Sequence, residues 1–280
     1  MKNKKVQNIL VYTDFTEVGE KSVQWAIYLA KKFKRGIHLV HVINENTYNY
    51  FDKSNTKEEV KQTLYTYCET IQKDHNIDCS FYTEAGCNCT IINSEAERLD
   101  AFLVVLGTHG KNDPQFLSGA SAAKIIRKSR IPYFVVQKNS PVPGLAKNIV
   151  LPLGVRKEMK EKTGWVTYFA KNLLTHIDII YKESNDNRLS NNILFATRFF
   201  DKFDLLSTKY EQQALHKKIN KIALEYAAEH NCMMLTILTT KNETLLNKIF
   251  GFAESTIIAN AKGIPVLCIN PKKDLYIPCV

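Results

Sequence analysis

The sequence has no apolar run approaching a membrane span. Its longest apolar stretches are of the kind seen from Ala101 to Gly107, far below the roughly eighteen residues needed to cross a bilayer. It has no Cys-x-x-Cys motif. Of the seven cysteines, at positions 68, 79, 87, 89, 232, 268 and 279, only Cys87 and Cys89 are close neighbours. That pattern is neither a disulfide framework nor a metal-ligand spacing, and it reads as reduced cytosolic thiols. No zinc-finger spacing and no aromatic RNA-binding signature accompanies the net charge of +10, so no nucleic-acid partner is indicated. There is no Gly-x-x-x-x-Gly-Lys and no Gly-x-Gly-x-x-Gly. Neither a P-loop ATPase nor a Rossmann dehydrogenase is therefore expected. The basic start, Met1 to Lys5, leads into an apolar stretch, Val6 to Tyr12, that is too short and too soon followed by Asp14 to be a signal peptide. These absences predict a cytoplasmic chain with no membrane partner.

What is present is ordinary globular composition, 45% hydrophobic and 24% charged. The densest basic run, Lys31-Lys32-Phe33-Lys34-Arg35, closes a helical pattern. Cations there suit the negative end of a helix, with a polyanion site as the alternative. The 280 residues suit two α/β units, each of about 140 residues.

The two tryptophans reveal a repeat. Trp25-Ala26-Ile27-Tyr28-Leu29-Ala30-Lys31 matches Trp165-Val166-Thr167-Tyr168-Phe169-Ala170-Lys171. The same offset sets Asn8 to Val11 on Asn148 to Leu151, and Ile37 to Val42 on Ile177 to Lys182. Near the ends, Ile131-Pro132 leading into Tyr133 to Val136 matches Ile264-Pro265 leading into Val266 to Ile269. Four matches in order indicate tandem duplication. The expected division is a first domain over 1–139, a turn-rich linker over 140–146 and a second domain over 147–280.

Each half alternates strand and helix, which predicts a parallel sheet covered by helices on both faces. In the first half, strands are expected at Ile9 to Thr13, Ile37 to Val42, Cys79 to Thr83, Phe102 to Leu106 and Tyr133 to Gln137. Helices are expected over 18–34, 57–73, 90–99 and 121–129. In the second half, strands are expected near 148–152, 177–182, 204–208, 233–238 and 265–269. Ligands of such sheets bind outside the carboxyl ends of the strands, where strand order reverses.

After the first strand come Tyr12-Thr13-Asp14-Phe15-Thr16. The carboxylate of Asp14 suits a ribose hydroxyl or an adenine amino group, while Asp or Thr ahead of an amphipathic helix also reads as a helix cap. After the fourth strand come Gly107-Thr108-His109-Gly110, then Gly119-Ala120-Ser121 opening a helix. Glycines let a backbone approach a ligand, and a helix N-terminus presents N–H groups to a phosphate. His109 suits a phosphate donor or a loop residue without function.

On these residues the chain resembles the universal stress protein family. Asn8 to Phe15 resembles the opening of such a domain. Gly107-Thr108-His109-Gly110 with Gly119 resembles that family's Gly-x2-Gly-x9-Gly-Ser/Thr loop, and the Ile131-Pro132 lead fits too. The resemblance implies two flavodoxin-like, doubly wound α/β domains in tandem, with the adenine-nucleotide hydrolase-like fold. It implies ATP with Mg2+ as ligand, and a stress or starvation role. By this resemblance Asp14 and the main chain at Val42 hold adenosine, with Tyr12 and Thr13 among the nucleotide-binding residues. Gly107, Thr108, His109 and Gly110, with Gly119, Ala120 and Ser121, hold ribose and phosphates. Pairing of the two halves through their last strands, and a further homodimer, are implied as well.

This chain departs from that pattern. Eight residues, not nine, separate Gly110 from Gly119, and Ala120 stands at the Ser/Thr position. Losing a hydrogen bond to a charged phosphate costs about 1.5–3 kcal/mol, one to two decades of affinity. In the second half Gly154 stands where Asp14 would, Thr239-Thr240-Lys241-Asn242 replaces the glycine loop, and Phe252 follows Gly251. That half is expected to keep the scaffold and lose the nucleotide. No catalytic base or nucleophile pair stands out, so the expectation is a binding protein whose hydrolysis, if any, is slow. The alternatives are an interaction module without nucleotide and, less well supported, an enzyme of the adenine-nucleotide hydrolase-like group. The latter would want a phosphate loop that Thr13 to Thr16 does not provide.

Overall fold

The computed structural model describes residues 7–109, 117–213, 217–239 and 254–270. Short apolar runs form strands and amphipathic stretches form helices. The first half runs β1 (Ile9–Tyr12), α1 (Glu17–Phe33), β2 (Ile37–Ile43), α2 (Thr56–His75), β3 (Cys79–Ala85), α3 (Asn88–Arg98), β4 (Leu103–Thr108), α4 (Gly119–Lys128) and β5 (Tyr133–Gln137). The second runs β6 (Asn148–Pro152), α5 (Met159–Leu173), β7 (His176–Lys182), α6 (Asn187–Asp201), β8 (Ser207–Gln212), α7 (Ile219–Glu229), β9 (Met234–Leu238), α8 (Ser255–Ile258) and β10 (Val266–Ile269).

The strands make one ten-stranded sheet in the order β3-β2-β1-β4-β5-β10-β9-β6-β7-β8. Every ladder within a half is parallel. The halves meet at β5 and β10, which pair antiparallel with Val266 opposite Val135 and Cys268 opposite Tyr133. Edges that each half alone would leave open are thereby paired.

Strand alternation sends side chains to two cores. Ile9 and Val11 join α1, α2 and α5 on one face, while Leu10 and Tyr12 join α3, α4 and α7 on the other. The first core runs unbroken through both halves. Phe33 meets Phe169 at 4.9 Å and Phe102 meets Trp165 at 5.2 Å, ring centre to ring centre. Both repeated tryptophans are buried, and Trp25 Nε1 donates to the Pro141 carbonyl. Each such aromatic pair contributes about 0.5–1.5 kcal/mol beyond its buried area. The segment between the halves is held down too, since Lys21 Nζ donates to the carbonyls of Lys138 and Ser140.

Most elements lie within two residues of their expected bounds. The exception is β8, expected near 204–208 and found at Ser207–Gln212. The apolar pair Leu205-Leu206 drew the expectation, but the strand proper is a polar edge strand, Ser-Thr-Lys-Tyr-Glu-Gln, with no apolar run to mark it.

Candidate functional site

Strand order reverses between β1 and β4, because the chain leaves β1 toward β2 and β3 and returns on the other side. The residues following β1 and β4 therefore face each other across a crevice. Asp14 follows β1 and His109 follows β4, and His109 Nε2 lies 2.9 Å from Asp14 Oδ2.

The backbone at Asp14 is shaped for this role. Phe15 adopts φ 60, an uncommon and costly conformation for a bulky residue. Its ring stacks on His41 at 4.5 Å. Thr16 caps α1 by accepting from Gly19 N, and its Oγ1 donates to Asp14 Oδ1 at 2.6 Å. Capping and ligand-type chemistry thus coexist here, with Thr16 as the cap and Asp14 turned toward the crevice. Burial raises the Asp14 carboxyl, but hydrogen bonds from His109 and Thr16 outweigh it and hold the group below its ordinary value. Asp14 is ionised at neutral pH.

His41, on β2, forms the floor. Its Nδ1 donates to the Thr13 carbonyl at 2.8 Å, and its Nε2 lies 3.0 Å from Thr47 Oγ1. Burial depresses its pKa, so the ring is neutral at pH 7. Burial and the Asp14 charge push the Tyr12 hydroxyl well above its ordinary range. Tyr12, Asp14, His41, Val42, Asn44, Asn46, Thr47, Asn88 and Leu117 line a cavity of about 10 Å³, room for one water. Val42 is fully buried, and its carbonyl lies 3.4 Å from Thr47 Oγ1.

The glycine-loop residues divide. Gly107 and Thr108 are the end of β4 and are buried. A Cβ on Gly107 would lie 2.4 Å from Val18 Cγ1, so this glycine permits close packing of α1. Thr108 Oγ1 lies 3.4 Å from the Val136 carbonyl. Gly110 lies outside the described residues. Gly119 is buried against the second half, where a Cβ would meet Ala259 Cβ at 2.6 Å and the Ser255 carbonyl at 2.7 Å. Ala120 and Ser121 are exposed at the start of α4. Ser118 caps that helix by accepting from Ser121 N at 3.3 Å. Of the expected residues, the structure gathers Tyr12, Thr13, Asp14, Val42 and His109. His41, Thr47, Asn44 and Asn88 join them without any sequence motif. Among the described residues no group of three or more His, Cys, Asp or Glu could hold a metal ion.

The corresponding strand ends of the second half are filled by side chains. Asn192 Nδ2 donates to the carbonyls of Gly154 and Arg156 at 2.7 and 3.0 Å. Fully buried Lys162 donates to the Pro152 carbonyl. Burial, aided by the nearby Arg156 charge, lowers its pKa to about 7. Thr240, Lys241, Asn242, Gly251 and Phe252 lie outside the described residues.

Residues 5–137 match the universal stress protein family model. The first half is thus a universal stress protein domain. It is 26% identical over 129 residues to universal stress protein G of Salmonella typhimurium, covering 43% of this chain and 90% of that protein. Its fold follows that of a universal stress protein from Archaeoglobus fulgidus, with a TM-score of 0.74 at 15% identity, over 95% of this chain and 97% of that one. A universal stress protein described as putative from Pseudomonas aeruginosa superposes with a TM-score of 0.60 at 14% identity, over 95% and 94%. These likenesses extend the fold across both halves. Among the described residues no helix is long and apolar enough to cross a membrane.

Proposed function

We propose that the whole chain is a universal stress protein, a cytoplasmic sensor or regulator that binds an adenine nucleotide in its N-terminal half. The observation that supports this most is the meeting of Asp14 and His109 at the switch point, where an ionised acceptor faces the end of β4. ATP, with Mg2+ on its phosphates, is the proposed ligand. Asp14 accepts from the adenosine, and His109 with the exposed opening of α4 at Ala120 and Ser121 takes the phosphates. The donor and acceptor chemistry fits this group. The space does not fit as it stands, because a cavity of about 10 Å³ must widen to the several hundred Å³ of a ligand pocket.

The second half acts as a built-in partner rather than a second site. The β5–β10 ladder and the filled strand ends at Lys162 and Asn192 support that reading. Division near residues 140–146 follows from it, and no second copy is needed to cover β5.

A second reading is a nucleotide-free interaction module. The small cavity and the prior engagement of Asp14 by His109 and Thr16 favour it. Thermal-shift assays with ATP, ADP, AMP and GTP separate the two. The first reading predicts stabilisation by adenine nucleotides over GTP, and the second predicts none by any of them.

A further inference from the structure

Away from the strand ends, two thiols touch. Cys68 lies on α2, and Cys79 opens β3 after a tight turn whose Asn76 adopts φ 53. The two Sγ atoms are 2.7 Å apart, and neither cysteine is in a disulfide. Gln72 Nε2 donates to the Cys79 carbonyl at 3.3 Å and ties the same two elements together. Cys68 is buried and Cys79 is half-buried. Among the described residues, no other two cysteine sulfurs are in hydrogen-bonding contact.

We propose that Cys68 and Cys79 are a redox modification site, at which a hydroperoxide converts the two thiols into one disulfide. Either Sγ can donate across this 2.7 Å contact; the hydrogen bond holds the Cys68 thiol below its ordinary value, while the same bond and burial raise Cys79. Cys68 is thus the member that attacks. Its thiolate takes the terminal oxygen of the hydroperoxide, the O–O bond breaks, and an alcohol or water leaves after protonation. Cys68 is then a sulfenic acid. Cys79, losing its proton to water, attacks that sulfur. The S–S bond forms, the S–O bond breaks and water leaves. The two thiols have given two electrons to the peroxide, and a thiol reductant reverses the step.

The other described cysteines lack this arrangement. Cys232 and Cys268 are buried, and burial pushes both thiols up, Cys232 to about 12. Cys87 is exposed and Cys89 half-buried, with no thiol partner shown.

The test uses the full chain and hydrogen peroxide as the probe. After exposure the protein is alkylated under denaturing conditions and digested with trypsin. Cys68 falls in Gln62 to Lys73, and Cys79 falls in Asp74 to Arg98 together with Cys87 and Cys89. The expected product is a link between these two peptides, two hydrogen masses lighter than their sum and cleaved by dithiothreitol. It persists in the Cys87→Ser/Cys89→Ser variant and vanishes in Cys79→Ser. Loss of free Cys68 is expected at least about tenfold faster than loss of free Cys232. The proposal is overturned if Cys68 stays alkylatable while Cys87 and Cys89 oxidise. It is equally overturned if the link is lost in the Cys87→Ser/Cys89→Ser protein. The wild-type peptide map stands whether or not Cys79→Ser folds.

Discussion

His109 Nε2 lies 2.9 Å from Asp14 Oδ2, joining the two strand ends that flank the switch point. Removing the imidazole leaves a largely buried carboxylate with one partner fewer. His109→Ala is expected to lower stability by about 1–3 kcal/mol, read as an earlier urea midpoint with an unchanged slope. An unchanged midpoint would show that the pair holds nothing together.

Gly107 is fixed by packing rather than by turn geometry. A methyl there would lie 2.4 Å from Val18 Cγ1 and 2.9 Å from the Val18 carbonyl. The side chain of Val18 can turn, but its backbone cannot. Gly107→Ala is expected to cost about 1–3 kcal/mol, and thermal unfolding measures it.

Lys162 makes an alkaline prediction. Its folded pKa is about 7, against an ordinary 10.5. Between those values the unfolded chain holds a proton that the folded chain lacks, so stability rises with pH from 7 toward 10. The slope reaches about 1.4 kcal/mol per pH unit. Lys162→Met removes this rise and is expected to stabilise the protein at pH 7. Urea midpoints at pH 7, 8 and 9 for both proteins test it, and parallel profiles would contradict it.

Two histidines make the acid prediction. Burial depresses His38 and His41 below their ordinary 6.5, even though His38 Nε2 lies 2.8 Å from Glu95. Below about pH 6.5 the unfolded chain protonates these rings while the folded chain does not. Stability is therefore full above pH 6.5 and falls as pH drops through the folded values, by up to about 1.4 kcal/mol per pH unit for each ring. Melting temperatures at pH 7, 6 and 5 would show this fall, and a flat profile would contradict it.

The fold was legible because the duplicated tryptophan helix and the apolar strands leave local marks at a fixed offset. The edge strand β8 was not, since a strand half in solvent needs no apolar run. At the site, the strand-end rule pointed to Asp14 and His109. A cap by Asp or Thr was legible there too, and Thr16 is that cap; His41 and Thr47 as the floor were not, because their contacts to Thr13 and to each other depend on how β2 and the turn after it pack. The packing of Gly119 was not legible either, since a Cβ there would meet Ser255 and Ala259, far along the chain. Lys162 occupies the place of Ser22 in the repeat, and only packing shows that its charge is buried.

The central claim is that Asp14 accepts from an adenine nucleotide. Titration calorimetry of the full chain with ATP, ADP and AMP, repeated on Asp14→Ala, tests it most directly. The expected result is saturable heat in the wild type and an affinity weaker by one to two decades in the variant, the size of about 1.5–3 kcal/mol for a lost charged hydrogen bond. No heat from the wild type at millimolar nucleotide, or equal affinity in the two proteins, would contradict it.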